Sequence, residues 1–319
     1  MFRFILQRLL WWIPTAFVIL LFVYSMLFYG AGDPIRLIFL RAPGDVAWDP
    51  DRIEAMREKA GLDRPFYVQF GDYVWNLMQG DFGNSLVYKR SVNDMIRVAL
   101  PVSVQMGVAA TFIVALVGIP LGVLAAFYKN TWLDHSILGG ALGCWAIPTF
   151  VAGPLLMIVL VIWLGIMDVP YGWDGLFSTT VIVPLLVLAF RPTAIVVRQA
   201  RSAVLEVLGE DFIRTAHAKG ISNWLVITRH ILRPTLAPVI TQLGIILSFM
   251  IQGAILLEVV FGIPGLGRLV ANSVVDSDYP VVLAVVLMGS FLVTGANLFV
   301  DITYPILDPR ARQTQVKDE

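Results

Sequence analysis

Long apolar blocks, each close to the length of a bilayer-crossing helix, alternate with short polar stretches along most of the chain. The first runs from Leu9 to Tyr29 and the second from Pro101 to Phe127. The third covers Ser136 to Gly165, with kinks expected at Pro148 and Pro154. The fourth, fifth and sixth extend from Val181 to Val204, Leu236 to Leu257 and Val281 to Tyr304. About 20 apolar residues are needed to cross 30 Å of hydrocarbon as a helix. The pattern therefore predicts an all-α membrane protein with six transmembrane helices. The first block is longer than a signal-peptide core and lacks a small-residue cleavage site, so it reads as a retained span.

The polar stretches orient these spans. Arg3 and Arg8 precede the first block and place the N-terminus in the cytoplasm. Residues 31–100 form a large loop opened by Gly32-Asp33-Pro34, with a helix-compatible stretch from Asp51 to Lys59 and an amphipathic PFYVQFGDYVWNLM that packs rather than spans. Its length removes it from the positive-inside rule, and alternation of sides makes it extracytoplasmic. Outer loops follow at Asp168–Thr180 and Glu258–Pro280, and Lys219, Arg229 and Arg233 mark a cytoplasmic loop at 205–234. Both termini then lie inside, and the chain divides into 1–30, 31–100, a core at 101–310 and a cytoplasmic tail at 311–319. Composition agrees, with 58% hydrophobic and 14% charged residues, against about 25% charged in soluble domains. A net charge of zero without a basic block argues against nucleic-acid binding. The one cysteine, Cys144, excludes an internal disulfide.

The 205–234 stretch, LEVLGEDFIRTAHAKGISNWLVITRHILRP, is a charged island among apolar blocks. One helix is expected over Leu205–Lys219, with Leu205, Leu208, Phe212 and Ala216 on one face and a Glu210–Arg214 pair on the other. Gly220 suits a left-handed helix terminus. Ser222 can cap a second helix, with Ile221 and Val226 as a hydrophobic staple. Two short helices meeting at a glycine corner make a docking shape. An interfacial amphipathic helix pair fits the same pattern.

Arg214-Thr215-Ala216, Gly220 and Pro234 resemble the EAA loop of bacterial ABC-importer permeases, and DFIRTAHAKG is similar to the B-type branch of the oligopeptide, dipeptide and nickel importers. The resemblance continues in GLDRPFYVQF, GDFGNS, EVVFGIPGLGRLV, DYPVV and DPRAR. His217 and Ile263 depart from it, where the branch usually carries Arg and an aromatic residue. It implies a subunit forming half of a path for peptides or a similar small solute, in a bacterial or archaeal cytoplasmic membrane. It also implies a second homologous permease subunit, two ABC ATPase subunits that bind the ATP, and an extracytoplasmic solute-binding protein. Asp211, Phe212, Arg214, Thr215, Ala216, Ala218, Gly220 and Ser222 are the residues it places in ATPase coupling.

Catalytic chemistry is not visible. The chain has no G-x4-G-K-[ST], no G-x-S-x-G and no metal spacing among His135, His217 and His230. No catalytic residue, metal or cofactor of its own is expected. Gln242, Ser248 and Gln252 on the fifth span are candidates for lining a path, although single polar residues in spans more often bond locally. Arg191, Arg198 and Arg201 in the fourth span must face protein or snorkel inward. Gly118-x3-Gly122 and Gly139-x3-Gly143 could let helices approach closely. Two alternatives remain at this point: an ion-coupled secondary transporter, disfavoured by few intramembrane acids, and an intramembrane enzyme.

Overall fold

The computed structural model describes residues 2–41, 50–253 and 255–307. In chain order the helices are α1 (Phe2–Gly30), α2 (Pro34–Arg41), α3 (Pro50–Lys59), α4 (Phe66–Met78) and α5 (Val92–Phe127). Then come α6 (Trp132–Ala146), α7 (Thr149–Met157), which continues as a π-helical turn to Trp163, and α8 (Ile182–Leu208). The chain ends with α9 (Asp211–Ala218), α10 (Asn223–Leu225), a π-helical turn at Val226–Ile231, α11 (Leu232–Gly253), α12 (Ile255–Val260), α13 (Leu266–Val275) and α14 (Tyr279–Leu307). The described residues thus carry an all-α fold.

Among the described residues, five helices are long and apolar enough to cross a membrane, and α6 with α7 makes a sixth only if that pair counts as one span. The expected third span is therefore not one kinked helix. The two halves are bent by 100°, at Ile147-Pro148, where the proline forces its predecessor out of the helical region and Ile147 has ψ of 119°. Pro154 sits inside α7 without ending it. Two helices in the expected outer loops were not anticipated, α2 and α13. The first had a local signal: Asp33 Oδ1 accepts from the Ile35 and Arg36 N–H groups at 2.9 and 3.2 Å, with Pro34 at the first helical position. The start of α13 is capped from afar, by Ser103 Oγ accepting from Leu266 N at 2.7 Å.

The chain forms two compact units. One holds Phe2–Ser103 and Pro264–Leu292. Its core sets Ala16 and Leu20 of α1 against Phe70 of α4 and Leu287 of α14, and a second cluster joins Val92, Ile96 and Ala99 to Leu266, Val281 and Ala284. Most of α1 faces outward with Leu10, Ile13, Val18, Phe22 and Met26 exposed, as lipid-facing helices do. The other unit contains Val104–Ile263 and the C-terminal part of α14. There α5, α8 and α11 share a core of Val114, Ala189, Val196, Ala200, Val239 and Ile246. Gly118 and Gly122 make this close: an added Cβ would lie 2.9 Å from Val196 Cβ and 2.5 Å from Val197 O. An added Cβ on Gly139 or Gly143 meets nothing within 4 Å, so among the described residues the close packing is at the first small-residue motif.

Candidate functional site

The 205–234 stretch differs from the single helix expected over Leu205–Lys219. Helix α8 ends at Leu208, where Gly209 N–H and Glu210 N–H donate to Glu206 O and Val207 O at 3.1 Å each and tighten the last turn. Glu210 then turns extended, with ψ of 144°, and α9 starts at Asp211, an acid well placed at a helix N-terminus. The new start rotates the helix face. Ile213 and Ala216 are buried, packed with Ala126, Val204, Val226 and Ile231, whereas Phe212, expected to share a face with Ala216, is exposed. The Glu210–Arg214 pair is replaced by an exposed Arg214 Nη1–Asp211 Oδ1 contact of 3.3 Å.

The corner itself follows from Gly220, whose φ is +72°. Its N–H donates to His217 O at 2.9 Å and the Ile221 N–H to Ala216 O at 3.2 Å, the paired bonds of a Schellman terminus. Ile221 packs against the apolar cluster that holds buried Val226, the side on which the staple was expected. Ser222 O accepts from Val226 N at 3.0 Å and its side chain is exposed. Of the coupling candidates, Asp211, Phe212, Arg214, Thr215, Ala218, Gly220 and Ser222 are exposed, whereas Ala216 belongs to the core beneath. Trp224, which sequence reasoning passed over, is 74% exposed on the same corner. A large aromatic ring left bare beside a glycine turn was the signal for it.

Beneath the corner, Arg201 closes on Asp134 through two parallel bonds, Nε to Oδ1 at 2.8 Å and Nη2 to Oδ2 at 2.7 Å. Asn130 N–H adds a third at 2.9 Å to Oδ2. Asp134 is buried, and the pair ties the start of α6 to α8. Arg191 and Arg198 behave differently: both are exposed, and their guanidinium carbons lie 4.6 and 5.7 Å from the Trp145 ring centroid. Among the path candidates, Ser248 is buried and its hydroxyl donates to Gly244 O at 3.1 Å, with Asn297 Oδ1 at 3.3 Å. Gln242 is half-buried. The side chain of Gln252 lies outside the described residues, as does the tail at 311–319.

In the other unit the polar groups close on themselves. Buried Asp278 accepts from Ser85 Oγ and, at 3.0 Å, from Leu86 N. Burial pushes its carboxyl above the ordinary carboxylate range, against the lowering pull of these bonds. A cavity of about 580 Å³ between α1, α3 and α4 is lined by Tyr24, Arg57, Arg64, Asp72 and Tyr73. Two ion pairs stand in its wall, Arg57 with Asp33 at 2.7 Å and Arg64 with Asp72 at 3.0 Å.

Residues 118–313 match the family described as binding-protein-dependent transport system inner membrane component, and residues 1–107 match that family's N-terminal segment. The chain belongs to this family. Among its relatives, the oligopeptide transport system permease protein OppB of Haemophilus influenzae is 36% identical over 313 residues, 98% of this chain and 100% of the relative. OppB of Salmonella typhimurium is 34% identical over the same shares. A putative peptide transport system permease protein of Brucella abortus is 35% identical over 97% of this chain and 98% of its own. Among solved structures, a chain of the MetNI methionine ABC transporter in inward-facing conformations superposes with a TM-score of 0.58 at 16% identity, over 67% of this chain and 96% of that one. That likeness shows the fold. The protein is thus a multi-pass membrane permease subunit of an ABC importer, and the secondary-transporter and intramembrane-enzyme alternatives are set aside.

Proposed function

We propose that this permease subunit supplies half of a translocation path for short peptides or a similar small solute and is driven through the α9 corner by ATPase subunits docked there. The observation that carries the reading is the division of α9 into a buried Ile213–Ala216 underside and an exposed face with Phe212, Arg214 and Thr215. A helix held rigidly from below with an aromatic anchor above is suited to transmit a push. ATP hydrolysis then resides on two partner ATPases, with a second permease subunit and an extracytoplasmic solute-binding protein completing the assembly. Peptide is the solute class suggested by the relatives' names. Alternating access follows if nucleotide binds the two conformations with different affinity, since only that difference shifts their populations. Gln242 remains a path candidate.

In this reading the 31–100 segment is extracytoplasmic and both termini are cytoplasmic. Cysteines at Asn84 and Ser222, in a Cys144→Ser background, should then label from opposite sides of intact membranes. Function is tested by purification and reconstitution. The subunit alone should hydrolyse no ATP, and ATP-dependent uptake should appear only with both ATPases, the second permease subunit and the binding protein. Hydrolysis by the isolated chain, or uptake without the ATPases, contradicts the proposal.

A further inference from the structure

The three arginines of α8 share one helix but not one fate. Arg201 is closed by Asp134 through two hydrogen bonds. Arg191 and Arg198 are exposed in the middle of an apolar span that runs from Thr179 to Leu208. Among the described residues neither lies within 4 Å of a carboxylate. Each instead sits over the Trp145 ring, which the break at Pro148 holds at the end of α6. Charged groups at such depth do not face hydrocarbon; they face protein or water.

Arg191 and Arg198 are seven residues apart and so project from one side of α8, about 10 Å apart along its axis. Ser202 and Glu206, four and eight residues further on, are also exposed and extend that side as a polar stripe to the α9 corner. A seam between subunits inside a bilayer is normally rich in small residues, with single polar groups bonded across it, whereas two arginines, a serine and a carboxylate exposed along one side of a helix suit a wet passage. With their guanidinium carbons 4.6 and 5.7 Å from the Trp145 centroid, both cations are braced on one aromatic ring and sit close enough together to take a carboxylate between them.

We propose that Arg191 and Arg198, braced on Trp145, are a cationic station on the translocation path that takes the carboxylate of the passing solute. This rests on the permease reading and on peptide as the solute class. Uptake is measured with the complete transporter in proteoliposomes, using trialanine and its C-terminal amide as probes. Wild type should take up the free acid in preference to the amide. Arg191→Gln/Arg198→Gln should lower acid uptake about tenfold or more, as expected for lost charge-assisted bonds, and remove the preference. The Lys variants should restore part of both, with assembly and ATPase stoichiometry unchanged throughout. A double Gln variant that keeps wild-type uptake and preference overturns the station. So does loss of subunit assembly, which assigns these arginines to a carboxylate of the second permease subunit.

A second measurement does not depend on the solute. Ser202→Cys in a Cys144→Ser background, in the assembled complex with and without ATP, should react faster with an anionic sulfonate thiol reagent than with a cationic one. The Gln variants should abolish that difference. An unreactive Cys at 202, or no charge preference, overturns the proposal. If trialanine is not carried by wild type but the charge preference is present, the peptide assignment fails and the cationic path stands.

Discussion

At the 80–91 turn, polar groups find partners within the chain. Asn93 Nδ2 donates to Gly80 O and its Oδ1 accepts from Phe82 N, Asp278 holds Ser85 and Leu86, and Tyr88 donates to Asp276 at 3.0 Å. At the 209–222 turn the side-chain bonds stay within α9, Arg214 to Asp211 at 3.3 Å and the Thr215 hydroxyl to Asp211 O at 3.0 Å, above an apolar underside. Phe212, Arg214, His217, Lys219 and Trp224 stand in the open. The contrast is between a corner closed by its own side chains and the exposed corner to which we assign ATPase docking. The same contrast repeats along α8, between Arg201 and its two neighbours.

Substitutions at the two kinds of site should therefore fail differently. The largest loss of stability is expected for Asp134→Ala, which strands Arg201 without its partner and should cost about 3–5 kcal/mol. Removing Arg201 as well should recover part of it. Thermal unfolding of the purified subunit measures both, and a double variant no more stable than Asp134→Ala would place the loss in packing rather than charge. Phe212→Ala with Trp224→Ala should do the reverse. Stability should stay within about 0.5 kcal/mol, while ATPase association weakens by about 2 kcal/mol or more, as when interface anchors are truncated. Co-purification with titrated ATPase measures it.

Much of this architecture was legible because it is written locally. Five of the six apolar blocks coincide with helices long enough to span, the third being broken at Pro148, and Lys219-Gly220 marked a terminus whose Gly220 has φ of +72°. What escaped depended on distant partners. Nothing near Arg201 points to Asp134, 67 residues away, and the cap of α13 comes from Ser103. The break at Gly209 escaped for another reason: the apolar period runs on through Leu205, Leu208, Phe212 and Ala216, and hides a two-residue interruption that takes Phe212 off the face it was expected to share with Ala216. Signals for α2 and Trp224 were present and unread.

Smaller effects sharpen the comparison. Nothing lies within 4 Å of where a Cβ would stand on Gly220, so Gly220→Val is penalised by backbone conformation alone, about 1–2 kcal/mol. Gly220→Asn should be milder. The subunit should still accumulate in membranes while uptake falls, because the tilt of α9 misplaces Phe212. Wild-type uptake by Gly220→Val would remove the corner from coupling.

The smallest effect concerns pH at the closed corner. The folded protein holds Asp278 with a raised pKa, so it binds that proton more tightly than the unfolded chain. The associated stabilisation is complete below the unfolded carboxylate pKa of about 3.9. It is lost as pH rises through the folded value. Asp278→Asn should flatten that part of the unfolding midpoint against pH and leave ATPase association unchanged. An unaltered slope would mean another group titrates there.

Completion of the α9 face by an ATPase is tested most directly by a photocrosslinking side chain. Placed at Phe212 in the assembled transporter, it should join this chain to a P-loop ATPase subunit, whereas the same group at Tyr88 should not. Crosslinking to the ATPase from Tyr88, or none from Phe212, would contradict the assignment of the open corner.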